Sequence, residues 1–246
     1  YEPGKVSVRK IIGRDGREKI QTRVDLGLLQ LELDGRPDGK RPHGCESLLD
    51  YHERRLAEWL RENGADRGFV ISSDECRDLH HEAYLYYQRF LATFVLADWD
   101  RVEADTSRNI RAIDMVGRFG ATEHDRGMME PQRPYTLMMG ARALVYSALQ
   151  YARYDDALTL CDEWIARLQE ILAETDQSSR RFPNAEVRML TDLRREVLER
   201  MPEDAPPRLQ NELQLAIEAE AYERAAQLRD KLAKVLGRPV KPSRAP

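Results

Sequence analysis

The sequence predicts a mostly α (α+β) fold: a small N-terminal antiparallel β-sheet, a body of helical hairpins, and a further helical hairpin near the end of the chain. Three observations carry this reading. The first thirty-odd residues alternate apolar and polar side chains with a period of two, around an Asp15-Gly16 pair. From about residue 46 the apolar spacing becomes that of amphipathic helices. Along that helical stretch one short pattern occurs three times: an aromatic residue, then an acid, then a small or β-branched residue three after the aromatic.

The first strand is KVSVRKII, from Lys5 to Ile12. Asp15-Gly16 supplies the hairpin turn, since such turns need residues that tolerate positive φ. The return strand, EKIQTRVDL, places Ile20, Thr22, Val24 and Leu26 on one face. Gly27 marks a bulge or a break in it. Leu29, Leu31 and Leu33 then alternate again as a third strand. The sheet therefore has one apolar face that needs cover. Asp34 to Gly44 is rich in Gly and Pro and reads as a connector.

Helices follow. Glu46 to Asn63 carries Leu48, Leu49, His52, Leu56, Trp59 and Leu60 as a helical stripe, and Gly64 suits its C-terminal cap. Ser72 with Glu75 makes a capping box that opens a long helix through Tyr84, Tyr87, Leu91 and Phe94 to about Ala97. A second runs from about Trp99 to Val116. Residues 118–134 hold Gly120, Gly127, Pro131 and Pro134 and read as a loop. Helices over about 135–152 and 154–174 come next. Asn184 is placed to cap a helix reaching about Arg200. PEDAPP is a linker, and a last helix pair fills Leu209 to Leu236. The resulting organisation is a sheet region at 1–40, a helical body at 41–200, a Pro-rich linker at 201–207, a helical hairpin at 208–236 and a flexible basic tail at 237–246.

Composition narrows the function classes. The 246 residues carry a mild net charge of -4, so the charge of the whole molecule does not mark it as a polyanion binder. The best membrane candidate, Phe90 to Ala97, is far too short to span, so no membrane partner is expected. Three widely spaced cysteines suggest a reducing compartment, with cytoplasm as the default. The chain begins at Tyr1 rather than at methionine, which leaves a preceding segment open.

The three repeated joints are Ala97-Asp98-Trp99-Asp100-Arg101-Val102, Ala152-Arg153-Tyr154-Asp155-Asp156-Ala157 and Glu220-Ala221-Tyr222-Glu223-Arg224-Ala225. The acid falls in the first turn of the new helix, where the macrodipole favours negative charge. The aromatic can pack back on the preceding helix, and the small residue lets the two axes approach. The first two joints resemble tetratricopeptide-type helical hairpins, with a wider spacing than a strict repeat. A TPR-like array and an ordinary helical bundle are the two arrangements that fit. Either presents surfaces.

The third joint belongs to a longer run, LQNELQLAIEAEAYERAAQLRDKLAKV. It resembles the UVR motif, the helical hairpin of the nucleotide excision repair proteins UvrB and UvrC, which also occurs in Clp-type unfoldases and in McsA. The residues that carry the likeness are Leu209, Leu213, Ile217, Tyr222-Glu223-Arg224-Ala225-Ala226, Leu228-Arg229-Asp230 and Leu232. Ala219-Glu220-Ala221 departs slightly from the usual turn. The resemblance implies a protein–protein docking element in which two copies pack as a four-helix unit or one docks on a partner. The residues agree: Ala225, Leu228, Leu232 and Val235 form one stripe, and Leu213 and Ile217 face it. Arg229 and Asp230 beside the stripe suit a charged rim that sets register. The expected docking residues are therefore Leu213, Ile217, Tyr222, Ala225, Leu228, Arg229, Asp230 and Leu232. The alternative is that the hairpin caps this chain's own helical body.

Catalytic and metal chemistry find little support. No GxxxxGK[ST] phosphate loop, G-x-S-x-G elbow or paired CxxC element occurs. His43, Cys45, Cys76 and His80 could make a Cys2His2 set only at a spacing that matches no standard zinc finger. No cofactor and no metal is expected. The N-terminal hairpin is basic, and Lys5, Arg9, Arg17, Lys19 and Arg23 fall on one face by odd numbering. That face could track a phosphate backbone, or simply be solvated. It lacks aromatics for base stacking.

The function expected from the sequence is a non-catalytic adaptor or scaffold that docks a partner protein, UVR-bearing or a second copy of itself, through the C-terminal hairpin. The alternative is a nucleic-acid accessory protein using the basic N-terminal face. An enzyme is the third reading.

Overall fold

A computed structural model describes residues 7–24, 26–174 and 184–237. Three strands, β1 (Val8–Ile12), β2 (Glu18–Val24) and β3 (Gly27–Glu32), form an antiparallel sheet in the order β1-β2-β3. Its register places Ile20 opposite both Lys10 and Leu31. Ile20, Leu31 and Leu33 are buried against Ala92, with Val8, Leu29 and Leu96 around them. Helix α2 (Ser73–Val95) thus supplies cover for the apolar face. The cover ends early. Thr22 is buried, but Val24 and Leu26 are exposed. Gly27 is no bulge: it pairs with Val24 and opens β3 directly after the turn.

The connector that follows is pinned by buried charge. Arg89 and Asp105 form a two-point pair at 2.8 and 2.7 Å. The free edge of the same guanidinium donates to the carbonyls of Glu32 and Gly35, at 3.2 and 2.7 Å. Arg101 donates to Leu33 O at 2.9 Å. Glu82, fully buried, accepts from the Arg108 guanidinium and lies 3.4 Å from Arg36 Nε. It also accepts from the backbone N–H groups of Leu48 and Leu49, at 2.8 and 3.3 Å. Those donors open helix α1 (Leu48–Asn63) and have no partner within the helix. A carboxylate from a neighbouring helix therefore holds the start of α1.

Two of the three predicted caps are present. Gly64 ends α1 at φ 71. Ser72 and Glu75 cap each other at the start of α2, with Ser72 N donating to Glu75 at 2.8 Å. Helix α3 (Trp99–Phe119) runs past the predicted end at Val116. The stretch read as a loop over 118–134 contains a short helix, α4 (Glu123–Gly127), and a single 3-10 turn at Glu130–Gln132. A second capping box, Thr122 with Asp125, starts α4, and Ser73 Oγ donates to the same Asp125 carboxylate at 2.7 Å. Gly120 is required there, because a Cβ would lie 2.9 Å from Val116 O. Helices α5 (Arg133–Gln150), α6 (Tyr154–Ala173), α7 (Ala185–Arg200), α8 (Pro206–Glu218) and α9 (Tyr222–Val235) complete the chain. Asn184 takes the N-cap position of α7 at φ 57, but its side chain does not cap the helix. Helix α8 starts at Pro206, inside the predicted linker, with proline in the first turn, where its missing N–H costs nothing.

The main core joins α2, α3, α5, α6 and α7 through residues such as Phe90, Val102, Met138, Val145, Leu168 and Leu190. A second core sits where α1 meets α2 and α3, around Leu49, Leu79, Ile113 and Met129. Glycine and alanine bring α5 close to α3; a Cβ on Gly140 would lie 2.9 Å from Thr106 Oγ1.

The three joints are one turn used three times. Ala97, Ala152 and Glu220 all lie in the left-handed region, at φ 55, 53 and 55. In each, the next N–H reaches back five residues: Asp98 N to Thr93 O at 3.0 Å, Arg153 N to Ala148 O at 2.9 Å, Ala221 N to Ala216 O at 2.8 Å. This is the closure of a Schellman-type helix end. The aromatic then starts the new helix.

Candidate docking interface

Helices α8 and α9 close on each other. Leu209, Ala216, Ala225 and Leu228 form a small core, flanked by the half-buried Leu213 and Leu232. It is separate from the main core. The hairpin is held to the body at its root. Arg208 donates to Glu199 O at 3.3 Å and Met201 O at 2.8 Å, and Lys231 Nζ donates to Glu203 O at 3.2 Å. Arg208 also pairs with Glu212.

The predicted docking residues therefore divide. Ala225 and Leu228 lie inside the hairpin's own seam, as Leu213 and Leu232 do in part. Arg229 and Asp230 pair with each other at 2.7 Å. Ile217 and Tyr222 point outward, 47% and 67% exposed. Leu215, at 55% exposed, was not expected; Val235 and Leu236 are also open. The sequence held a signal for Leu215. It lies two residues from both Leu213 and Ile217, so on a helix it stands off the seam that Leu213 builds.

Tyr222 breaks the pattern of the joints. At the first, Trp99 packs on Phe94 of the preceding helix (centroids 5.3 Å) and stacks on Tyr146 (5.0 Å). At the second, Tyr154 packs against the main core. At the third, the backbone is the same and the ring is bare.

Charge along the hairpin is graded. Glu218, Glu220 and Glu223 outnumber Arg224 at the tip, while Lys231 and Lys234 lie towards the root, where Arg208 is paired with Glu212. A second hairpin laid antiparallel would set acid against base at both ends.

The basic N-terminal face is partly spent. Lys19 is paired with both Asp15 and Glu32, and its side chain is 12% exposed. Arg9 donates twice to Gln21, at 3.0 and 2.7 Å. Arg17 and Arg23 are exposed on the described surface. Lys5 lies outside the described residues. The residues weighed for zinc are engaged elsewhere: Cys76 is buried with its Sγ on Ile71 O, and His80 Nε2 lies 2.6 Å from Gln132. Burial pushes the Cys76 thiol up to about 11. A cleft of about 230 Å³ between α3, α5 and α6 is lined by Thr106, Thr136, Ile110, Leu144 and Trp164. The two threonine hydroxyls donate to backbone carbonyls four residues earlier, Val102 O at 2.7 Å and Gln132 O at 2.9 Å. No described helix is long and apolar enough to cross a membrane.

Residues 207–236 match the family model described as the UvrB/uvrC motif. No curated protein and no solved structure is significantly similar to the chain.

Proposed function

We propose that this protein is a non-catalytic adaptor whose α8–α9 hairpin docks a partner protein. The observation that carries the reading is Tyr222. A joint that covers its aromatic twice leaves it two-thirds exposed the third time, and Ile217 at the end of the preceding helix is exposed as well. A tyrosine ring held on a rigid turn is a low-entropy anchor for an interface. The match over 207–236 supports the same reading, since motifs of this kind serve protein docking. The graded charge favours a partner built alike: a second UVR-type hairpin, from another protein or another copy of this chain. Apolar area covered there is worth roughly 25 cal/mol per Å².

The test is affinity capture from the native cell with the intact chain and with Ile217→Ser combined with Tyr222→Ser. Both positions lie off the seam, so the hairpin stays folded. Loss of a captured protein in the variant is the expected result. Capture undiminished by the double change removes this surface from the account. Replacing Leu228 and Leu232 would not discriminate, because it breaks the hairpin's own core.

A further inference from the structure

Helices α2 and α5 meet along a seam of aromatic rings. Tyr87 faces Tyr135 at 6.1 Å and Phe94 faces Tyr146 at 5.9 Å between centroids. Tyr84 extends the row, lying against Tyr87 at 6.0 Å, and the residue is 54% exposed. Arg142 stands in the middle, one helical turn before Tyr146. Its guanidinium carbon is 4.4 Å above the Phe94 ring and its Nη1 lies 3.5 Å from Met139 Sδ.

Arg142 is half-buried, yet among the described residues no carboxylate pairs with it. The other described arginines that are this buried all have one: Arg36 has Asp38, Arg55 has Glu75, Arg89 has Asp105, Arg101 has Asp34, Arg108 has Glu82, Arg133 has Glu130, Arg194 has Asp162 and Arg208 has Glu212. Glu196 of α7, which reaches the seam, is already engaged: it accepts from Tyr146 at 3.2 Å and pairs with Arg200. Ring faces attract a guanidinium without neutralising it. Withdrawing it from water without an anion is unfavourable, and an incoming carboxylate restores the balance with two parallel hydrogen bonds. Burial pushes the hydroxyls of Tyr135 and of Tyr146, which also meets the Arg142 side chain, above their ordinary values, so neither supplies the missing negative charge. The flat faces of Tyr84 and Tyr87 suit apolar or proline side chains.

We infer that the α2–α5 seam binds an extended peptide segment of a partner protein, seating an Asp or Glu carboxylate on Arg142 and apolar or proline residues on Tyr84 and Tyr87. This surface is distinct from the hairpin and does not depend on it. The probe is a pair of fluorescein-labelled octapeptide mixtures, one with Glu fixed at the fourth position and one with Gln, otherwise randomised. Polarisation against the full chain should show the Glu mixture binding about tenfold more tightly than the Gln mixture. Arg142→Gln should erase the difference, and Arg142→Lys should keep part of it. Tyr84→Ser, at an exposed position whose one ring contact is with Tyr87, should weaken the Glu mixture several-fold, which guards against misfolding of the arginine variant. Equal binding of the two mixtures, no binding of either, or a Glu preference that survives in Arg142→Gln overturns the inference. So does displacement of the Glu mixture by an eight-residue oligothymidylate, which would make the seam a nucleic-acid surface.

Discussion

Replacing Glu82 by Gln should be among the most destabilising single changes in the chain. The carboxylate has no exposure and faces two guanidinium groups, Arg108 and Arg36, whose side chains are 9% and 10% exposed. It also accepts from the two N–H groups that open α1. The amide keeps one acceptor oxygen for those donors, but its NH2 turns a donor towards Arg108 and removes the countercharge. Breaking one side of a buried pair costs about 3–5 kcal/mol. Arg36 retains Asp38 at 3.1 Å, which favours the lower half of that range. Urea unfolding followed by far-UV circular dichroism reads the loss as a fall in midpoint at constant slope. The same titration on Arg108→Met and on the double variant closes a cycle, with an expected coupling of about 2 kcal/mol or more. A loss below about 1 kcal/mol for Glu82→Gln, or a coupling near zero, would refute the view that this buried charge fixes α1 and the connector.

Other consequences are equally direct. Ala152→Gly should raise stability by about 0.5 kcal/mol, because a left-handed Ala at φ 53 bears a steric cost that glycine escapes, less the entropy glycine adds to the unfolded chain; a lower melting temperature would contradict this. His52 is buried, and burial lowers its folded value from 6.5 to about 4. Its neutral form is the folded one, so its contribution is complete above pH 6.5 and is lost as pH falls towards 4. The total is about 3 kcal/mol at roughly 1.4 kcal/mol per pH unit, and His52→Leu should flatten the stability profile in that window. Leu228→Asp should unfold the terminal hairpin while α1–α7 stay intact, since the two have separate cores; limited proteolysis should gain cuts within 206–236 that the unaltered chain resists, and none within α1–α7.

What the sequence made legible was local. The capping pair Ser72–Glu75, the stop at Gly64 and the sheet at the start could be read because each depends on residues a few positions apart. The Thr122–Asp125 box was equally local but was hidden among Gly and Pro, which read as breakers. The Glu82 and Arg89 network was not legible, because charged residues on a helix ordinarily face water. Their only signal was phase: Glu82 and Arg89 are seven residues apart, on the same face as the buried Leu79, Tyr86 and Phe90. The joints were legible as pattern, and the structure shows one shared turn beneath it. Which of their aromatics is covered was not, because the same local pattern leaves Trp99 packed and Tyr222 bare. Coverage is decided by neighbours distant in the chain. The docking residues divided for a related reason: the leucine stripe named the hairpin's seam, and the open positions lie beside it.

The central claim is that the bare tip of the α8–α9 hairpin is covered by another polypeptide. Site-specific photo-crosslinking tests it most directly, with a benzophenone amino acid at Tyr222 and, separately, at Arg188 on the exposed side of α7. Illumination in the native cell should join position 222 to a discrete protein or to a second copy of this chain, and position 188 to neither. A crosslink from 222 only to residues of its own chain, or none at all, would contradict the account.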